Sequence, residues 1–595
     1  MLNPEDINFQ KMGFRAGLEI HHQIKSKRKL FCHCPAELSH HLQKIPQYTF
    51  HRRFRAVMGE MGDFDPGMLV EVEKGYLIIY HANDEHVCTY EMDETPPFWI
   101  DQESIDVGFN LASLFKCESP AQEIVVNRKQ YLDGSITTGF QRTFIVARDG
   151  HVELLNGKKI PITNILIEED SARKIKTEDR GRTVYYNLDR LGIPLTEIIT
   201  DHRAIDNPDD LVETAKMIGL NLRVTGLVRR GIGVARQDVN ISIDGGNRAE
   251  LKGVQDLEML PKFCAHEVCR QAALIDIKEE IKNLEINIDD FEHHYIDISH
   301  VIKTLEEGEK AFATRLPKFE KILMTEIQPS KDFGFDIFEK CNLITGVQYN
   351  EMFHSGEIWP DSIRRKNEPS SLFIDAEVDS EIRKIMNLAE GDAYIAARGS
   401  EKPVLHTMKK AIERCKQAFE GVPQETRKVL ANGNNEFLRV IHGKERLYPD
   451  TDTPLVPYPM EKYEKILAKP SHRPLELLAK YKGLTLDKLE LLIREEQVPL
   501  FMKMVDGGHA NTSLAYQLLI EMPRWISRKG ADPGLISDEL FNSIAGSISK
   551  SELSRSDLRP LMLELANAPD DEARYKALAK YKELASKKKE AKNER

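Results

Sequence analysis

The sequence predicts an α+β protein in which a sheet of mainly antiparallel strands comes first and a helical region follows. Short alternating segments with turn signals between them recur through roughly the first 260 residues, for example YLIIY (76–80) and DVNISID (238–244). This spacing is typical of antiparallel strands. Amphipathic segments such as SLAYQLLIEMPRWISR (513–528) fill the later part of the chain, which favours an all-helical region there.

Two helices are predicted to interrupt the strand-rich region. One lies near 101–116, and the other follows NPDD (207–210). At the second, Asn207 can cap the helix, Pro208 suits its first turn, and two aspartates favour its positive end.

Changes in composition divide the chain further. A charged helical segment begins near 276, and an apolar strand ends the same region near 400, which predicts an inserted α+β domain over 276–400. Prolines are frequent between 449 and 474 and mark a linker. The predicted organisation is therefore one domain in two parts (1–275 and 401–458), the insertion, an all-α helical domain (459–535) and a short helical tail (536–595).

The net charge of the chain limits the kinds of molecule that it is expected to bind. The 595-residue chain has a net charge of −12, which argues against nucleic-acid binding over the whole surface but not against a local basic site. Residues 574–595 carry nine Lys or Arg and three Glu, so a polyanion could be contacted there.

Cysteine usage and the N-terminal sequence favour a cytoplasmic protein. The start, MLNPEDINFQ, lacks the features of a signal peptide, no apolar run has the length of a membrane span, and eight cysteines are scattered. Cys32 and Cys34 could bind zinc, but a structural zinc site normally needs four ligands. The next cysteines, Cys88 and Cys117, are each isolated. A site that uses His40 or His41 is conceivable, yet the sequence favours buried thiols.

The segment GLEIHHQI (17–24) carries the first functional signal. If it is a strand, Glu19, His21 and Gln23 share one face. That face is either solvated or part of a metal or phosphate site, and a metal site needs further acids from other segments.

Two further segments supply acids. LIEEDSARKI (166–175) has Glu168, Glu169 and Asp170 after an apolar strand, and taken alone this segment favours a solvated turn. LDRLGIPLTEIIT (188–200) holds Glu197 in an apolar stretch, where a charge is costly to bury unless it is paired or binds a cation.

A predicted hairpin over 234–253 adds a polar face. Its first strand presents Arg236, Asp238 and Asn240 together, and the return strand presents Glu250 and Lys252. This face is either exposed to solvent or the floor of a polar site.

Cationic side chains that could bind phosphate occur in NRKQ, with Arg128 and Lys129, and in GFQRT, with Arg142. No GxxxxGK[ST] motif occurs in the sequence, so a nucleotide would not be held by a P-loop. Oxygen-rich acids suit Mg²⁺ better than zinc.

Nine segments in order resemble the GatB/GatE family of tRNA-dependent amidotransferases, over residues 13 to about 530. They are GLEIHHQI, KLFCHCP, NRKQYLDGS, GFQRT, EED, YNLDRLGIPLTEIIT, RQDVNISIDGGNRAELKGVQDL, GVPQETRKVL and RLYPDTDTPL. Within the family the chain is similar to the archaeal-type GatE branch, because its insertion resembles one found in bacterial-type aspartyl-tRNA synthetases. The tail resembles a shortened YqeY-like domain.

The resemblance implies an ATP- and Mg²⁺-dependent enzyme with a catalytic cradle, which activates the glutamate of Glu-tRNA(Gln) and amidates it with ammonia. By alignment the metal ligands are Glu19, His21, Glu169 and Glu197. The residues expected to neutralise phosphate are Arg128, Lys129, Arg236 and Lys252. Asp238 and Asn240 are expected to orient metal-bound water or substrate.

The sequence contains neither an amidase-type serine–lysine signature nor an asparaginase-type nucleophile motif. We therefore expect ammonia to come from a partner, by resemblance the asparaginase-like GatD protein, in a hetero-oligomer. Three alternatives stay open. They are a GatB-like enzyme with an amidase partner that acts on Asp-tRNA(Asn) or Glu-tRNA(Gln), an ATP-dependent amide ligase for a free small carboxylate, and a tRNA-binding scaffold without activity.

Overall fold

The computed structural model of the chain describes residues 2–38, 46–59, 62–356, 374, 376–441, 443–469 and 471–593. The chain separates into two compact units. The first comprises 1–215 with 229–469, and the second comprises 216–228 with 470–595.

Strands dominate the first unit. In chain order they are β1 (Arg15–Gln23), β2 (Tyr48–Arg52), β3 (Leu77–Ala82), β4 (Ser119–Pro120), β5 (Glu123–Ile124), β6 (Asn127–Gln130), β7 (Phe140–Glu153), β8 (Lys159–Glu169), β9 (Arg173–Glu178), β10 (Thr183–Asn187), β11 (Pro194–Thr200), β12 (Ala235–Ser242), β13 (Ala249–Val254), β14 (Ile296–Asp297), β15 (Lys310–Leu316), β16 (Glu326–Gln328), β17 (Lys331–Asp332), β18 (Met352–His354), β19 (Ala393–Gly399), β20 (Glu425–Val429), β21 (Asn435–Val440), β22 (Leu447–Pro449) and β23 (Val456–Pro457).

Helices flank the strands and make up the later part of the chain. They are α1 (Pro66–Glu73), α2 (Gln102–Leu114), α3 (Pro208–Val224), α4 (Leu260–Asn283), α5 (Glu320–Leu323), α6 (Phe333–Thr345), α7 (Ala376–Ile385), α8 (Glu401–Gln417), α9 (Met460–Leu467), α10 (Pro474–Lys480), α11 (Leu486–Arg494), α12 (Val498–Asp506), α13 (Thr512–Tyr516), α14 (Met522–Arg528), α15 (Asp538–Ser549), α16 (Leu558–Asn567) and α17 (Asp571–Asn593).

The largest sheet has eleven strands. Its order is β21-β20-β13-β12-β1-β11-β8-β7-β6-β22, with β4 paired to β7. Among the described pairs of this sheet only β13 and β20 run parallel, and the others are antiparallel. The predicted combination of an antiparallel-rich sheet with many helices is therefore confirmed.

Helix α2 covers the apolar face of the large sheet. It contacts β7 and β8, and at Gly108 an added Cβ would lie only 3.0 Å from Ile167 Cγ1. A side chain at this position would push the helix off the strand, so glycine permits the close approach. Along β8 the face that carries Ile167 is opposite the face that carries Glu168, which leaves the second face free for polar groups.

Both helices predicted within the strand-rich region are present. They correspond to α2 and α3. The Asn207 Oδ1 accepts a hydrogen bond of 2.8 Å from the backbone N–H of Asp210, as expected of a helix cap.

A four-stranded sheet of order β14-β15-β19-β18 lies within residues 296–399, inside the region predicted as an insertion. It packs against α8 around an apolar core that includes Leu316, Ile395 and Met408. The boundary at 276–400, like the other predicted domain boundaries, stays a prediction.

The second unit is helical. Its core includes Leu492, Phe501, Leu518, Ile526 and Ile544, each of which is buried. A five-residue π-helical turn, 517–521, joins α13 to α14. Among the described residues, no helix has both the length and the apolar character that crossing a membrane requires.

A buried charge network joins α6, α8 and β20. The carboxylate of Asp336 pairs with the guanidinium groups of Arg414 at 2.9 Å and Arg427 at 2.8 Å, and all three side chains are at most 1% exposed. Burial alone would raise the pKa of Asp336, but the guanidinium groups hold it well below its ordinary value. The network therefore ties two helices to a strand of the large sheet.

Replacing Asp336 with asparagine should destabilise this junction, because two buried guanidinium groups would lose their shared anion. We expect a loss of about 3–5 kcal/mol in the local opening free energy of α6, measured by hydrogen–deuterium exchange of residues 333–345. The matched control is Glu436→Gln, which breaks the partly exposed Lys428–Glu436 pair and should cost less than about 1 kcal/mol. Equal protection in both variants would contradict the assignment.

Candidate active site

A row of polar side chains crosses the centre of the large sheet. Strand pairing places His21 of β1 opposite Glu197 of β11 on one side and opposite Arg236 of β12 on the other. Two residues earlier, Glu19 is opposite Asp238. These residues recur at a spacing of two along each strand, so their side chains share one face.

Acidic groups surround the imidazole of His21. Its Nδ1 lies 3.1 Å from Glu168 Oε1, and its Nε2 lies 3.7 Å from Glu197 Oε1 and 3.8 Å from Asp238 Oδ2. The potential metal-ligand atoms of Glu19, His21 and Glu197 all lie within 4.8 Å of one another. The structure thus brings together three of the four residues predicted as metal ligands.

Glu169, the fourth predicted ligand, points elsewhere. Its carboxylate accepts hydrogen bonds from Tyr90 Oη at 2.5 Å and from the backbone N–H of Arg142 at 3.0 Å. Strand β8 extends through Glu169, so alternation puts Glu169 on the side of buried Ile167 and turns Glu168 towards His21. The residues before the two glutamates, 165–167, are apolar at every position, so the sequence did not indicate which glutamate faces His21.

Two lysines border the acids. The Nζ of Lys129 lies 3.6 Å from both Glu168 Oε2 and Glu197 Oε1. Lys252 pairs with Asp238 and, at 2.6 Å, with Glu250 Oε1. Glu250 also forms a second three-member group with Glu19 and Asp238 in which potential ligand atoms lie within 4.8 Å of one another.

Amides and a further ion pair orient the neighbouring groups. The side chain of Asn240 donates to Glu19 Oε1 at 2.9 Å, which fixes that carboxylate. Arg236 donates to Asp170 Oδ1 at 2.8 Å, and Gln23 donates to Asp170 Oδ2 at 2.7 Å. Arg236 therefore lies beside the group around His21 but is paired with Asp170.

Arg128 is placed differently from the other predicted residues. Its guanidinium contacts Asp450 and Asp452, each at 2.6 Å, and Arg142 shares Asp450 at 2.8 Å. Both aspartates belong to the segment YPDTDTP, where sequence reasoning assigned no site residue. Their spacing in a proline-rich loop gave no signal that they would pair with β6.

The surroundings shift the pKa values of Glu197 and Glu168 in opposite directions. Burial and the nearby Glu168 raise the pKa of Glu197 to about 7, against the opposing effect of Lys129. Burial also acts to raise the pKa of Glu168, but Lys129 and His21 lower it to about 2. For His21, burial lowers the pKa, yet Glu197 and the neighbouring acids hold it well above its ordinary value.

The site has an excess of negative charge. Five carboxylates, those of Glu19, Glu168, Glu197, Asp238 and Glu250, surround two ammonium groups and one imidazole. Among the described residues the buried Glu168 Oε2 has no hydrogen-bond partner. An acceptor with an unused lone pair among carboxylates and one imidazole fits a hard divalent cation such as Mg²⁺.

Two comparisons with known proteins indicate the same family. Residues 14–463 match the family model described as the GatB/GatE catalytic domain. The chain is similar to proteins named as the GatE subunit of glutamyl-tRNA(Gln) amidotransferase. The relative from Pyrococcus furiosus is 35% identical over 96% of this chain and 88% of its own length. The relative from Methanocaldococcus jannaschii is 34% identical over 95% of this chain and 88% of its own length.

Glu168 and Glu169, adjacent at the end of β8, allow a direct test of which residues bind the metal ion. Glu168→Gln and Glu197→Gln should each weaken Mn²⁺ binding at least ~10-fold, because each removes a charged oxygen from the cluster. Glu169→Gln is the matched control and should bind Mn²⁺ within about 2-fold of the parent protein. Free Mn²⁺ is measured by electron paramagnetic resonance. Loss of binding in Glu169→Gln alone would restore the ligand set predicted from the sequence.

Proposed function

The chain belongs to the GatB/GatE family, and from this membership and the geometry of the site we propose that it converts Glu-tRNA(Gln) to Gln-tRNA(Gln) by ATP-dependent transamidation. The observation that carries the proposal is the partly buried group of carboxylates and one imidazole, bordered by lysines, on the sheet of the family's catalytic domain. The names of the similar proteins support the choice of substrate.

The reaction has two steps. The side-chain carboxylate of the tRNA-bound glutamate attacks the terminal phosphorus of ATP, the bond to ADP breaks, and an acyl phosphate forms. Ammonia then attacks the acyl carbon, and phosphate leaves as the amide forms. Both reactants in the first step are anions, so cationic groups must neutralise the charge that builds up during transfer.

Glu19, His21, Glu168 and Glu197 are the residues proposed to hold a divalent cation, with Glu168 in the place that sequence alignment gives to Glu169. When bound, Mg²⁺ supplies positive charge to phosphate oxygens. Asn240 holds the Glu19 carboxylate in position through its hydrogen bond, and Asp238, fixed by Lys252, can orient a water molecule or the substrate.

The proposed phosphate-binding cations differ in accessibility. The Lys129 side chain is 17% exposed, that of Lys252 is 25% and that of Arg236 is 39%, so each can extend towards a substrate while one side stays paired. Arg128 is held between Asp450 and Asp452, and the Asp452 side chain is 46% exposed. We propose that phosphate takes the place of Asp452 beside Arg128.

Ammonia is proposed to come from an asparaginase-like GatD protein, and the chain to act in a hetero-oligomer. The relatives described above carry the name of the GatE subunit, which favours this assignment over the GatB-like alternative. We propose that the cradle (1–275 and 401–458) catalyses the reaction and that the later domains contact tRNA. The cytoplasmic location predicted from the sequence stays a prediction.

The basic tail is less available for tRNA than its composition suggests. Lys580 pairs with Glu564 at 2.9 Å, Lys582 with Glu552 at 3.2 Å and Lys588 with Asp557 at 2.9 Å. The side chains of residues 590–595 lie outside the described part of the chain. We therefore propose that this tail contacts RNA through basic side chains other than the paired Lys580, Lys582 and Lys588.

Glu197→Gln should abolish transamidation, because one of the proposed cation ligands loses its charge. We expect at least a ~100-fold loss of kcat with Glu-tRNA(Gln), ATP and ammonium ions, since the charge would be missing where phosphoryl transfer occurs. Glu178→Gln, an exposed acid-to-amide change, is the control and should keep full activity. Full activity of Glu197→Gln would contradict the proposal. Equal turnover of free glutamate and Glu-tRNA(Gln) by the parent protein would favour the amide-ligase alternative.

The nitrogen donor gives an independent test. The purified chain should amidate Glu-tRNA(Gln) with ammonium ions and should not use glutamine, because its sequence contains no glutaminase nucleophile motif. The measurement follows Gln-tRNA(Gln) formed with each donor, before and after a GatD protein is added. Efficient glutamine-dependent turnover by the chain alone would overturn the assignment of ammonia supply to a partner.

A further inference from the structure

The row of polar side chains that crosses the large sheet continues to β21. Strand pairing places Glu250 of β13 opposite Thr426 of β20, and Thr426 opposite Arg439 of β21. The Thr426 hydroxyl donates to Glu250 Oε2 at 2.7 Å. Residues that lie opposite each other on paired strands point to the same face of a sheet, so Arg439 shares the face of the candidate active site.

A bulge in β21 turns Arg439 to this face. The register of β20 and β21 shifts next to Arg439, because the following pair is Arg427 with Phe437 and Leu438 is skipped. The Phe437 ring lies 4.7 Å from the Nζ of Lys340 in α6, on the opposite face. Residues 437 and 439 would share a face in a regular strand, and bulges often redirect a side chain beside an active site.

Arg439 and Arg446 flank one aromatic ring and keep unpaired N–H groups. The Cζ of Arg446 lies 4.3 Å from the centre of the Tyr131 ring, and the Cζ of Arg439 lies 5.9 Å from it. The two arginines are only 8% and 7% exposed. Among the described residues, the buried Arg446 Nη2 and Arg439 Nε have no hydrogen-bond partner. Because a buried donor without an acceptor is unfavourable, these groups favour an anionic ligand.

The acids near Arg439 have cations of their own. Burial acts to lower the pKa of Arg439, but nearby groups that include Glu250 and Glu71 raise it. The Glu250 carboxylate pairs with Lys252 at 2.6 Å, and the Glu71 carboxylate pairs with Lys74 at 2.7 Å. The charge of Arg439 is therefore available to a further anion.

The Tyr131 hydroxyl lies in a surplus of positive charge. Burial acts to raise its pKa, but four cations hold that pKa below its ordinary value, namely Arg446, Lys129, Lys252 and Arg439. Lys129 and Lys252 also border the acids of the candidate active site, so the two groups adjoin. Tyr131 is only partly buried, and a ligand can therefore reach it from solvent.

We propose that Arg439, Arg446 and the Tyr131 hydroxyl bind the diphosphate part of ATP, which leaves as ADP; this inference rests on the proposed function. The terminal phosphate would lie at the divalent cation, and the other two phosphates would extend past Lys252 towards β21. The sequence contains no P-loop motif, so side chains must supply the donors. Planar guanidinium groups match phosphate oxygens well, and charge on the leaving diphosphate has to be neutralised during transfer.

Tyr131→Phe separates phosphate binding from a structural role of the stacked ring. The variant keeps the ring between the two guanidinium groups and removes only the hydroxyl, so its thermal unfolding midpoint should be unchanged. ADP should bind the full-length variant about 3- to 10-fold more weakly, as expected for one lost hydrogen bond. The affinity is measured by isothermal titration calorimetry with Mg²⁺ present.

Removal of a guanidinium group should have a larger effect. Arg439→Gln and Arg446→Gln should each weaken ADP binding at least ~10-fold, because each loses charge-assisted hydrogen bonds. Arg52→Gln is the matched control, since Arg52 also stacks on a ring, that of Phe50 at 5.6 Å, and also has a buried Nε without a partner. ADP should bind this variant within about 2-fold of the parent protein.

The possible contradictions are distinguishable from one another. If the parent protein binds ADP and the Tyr131 and arginine variants bind it equally well, this inference is wrong and the proposed function is untouched. An equal loss in Arg52→Gln would show a general structural effect and would also overturn the inference. Weaker binding of tRNA with unchanged binding of ADP would assign the group to a tRNA phosphate instead. Failure of the parent protein to bind ADP would count against the proposed function itself.

Discussion

Buried negative charge on the central strands is the constraint that the surrounding sheet has to satisfy. Glu19 and Glu197 lie on neighbouring strands, and an uncompensated carboxylate in such a place is strongly unfavourable. The compensating lysines come from β6 and β13, on opposite sides of β1 in the strand order. The width of the sheet therefore serves electrostatics as well as packing, because lysines on both sides of β1 compensate the acids of the central strands.

The fold class could be predicted because alternation is a local signal. Leu18 and Ile20 are buried on one face of β1 while Glu19 and His21 occupy the other, as the spacing indicates. The junction around Asp336 could not be predicted in this way, since its arginines lie 78 and 91 residues away in sequence. A buried aspartate looks like any exposed helical aspartate until its partners are known.

The sequence predicted those residues of the candidate site that stand out from their immediate sequence neighbours. Glu197 did so because it interrupts an apolar run, and three of the four predicted ligands meet in the structure. The choice between Glu168 and Glu169 depends on where β8 ends, and strand ends are the least reliable part of such a prediction. The partners of Arg128 depend on tertiary contacts that leave no periodic pattern.

The parallel pairing of β13 with β20 has a consequence for biosynthesis. Strand β13 ends at Val254 and β20 begins at Glu425, so the ribosome must add the whole intervening segment before this edge can pair. At ~5–20 residues per second, the interval is roughly 10–30 s. During that time a nascent strand next to β12 presents unpaired backbone groups, the usual template for misassembly. Chaperone contact with the growing chain should therefore be concentrated at residues 249–254 and should end when residues 425–429 have left the exit tunnel.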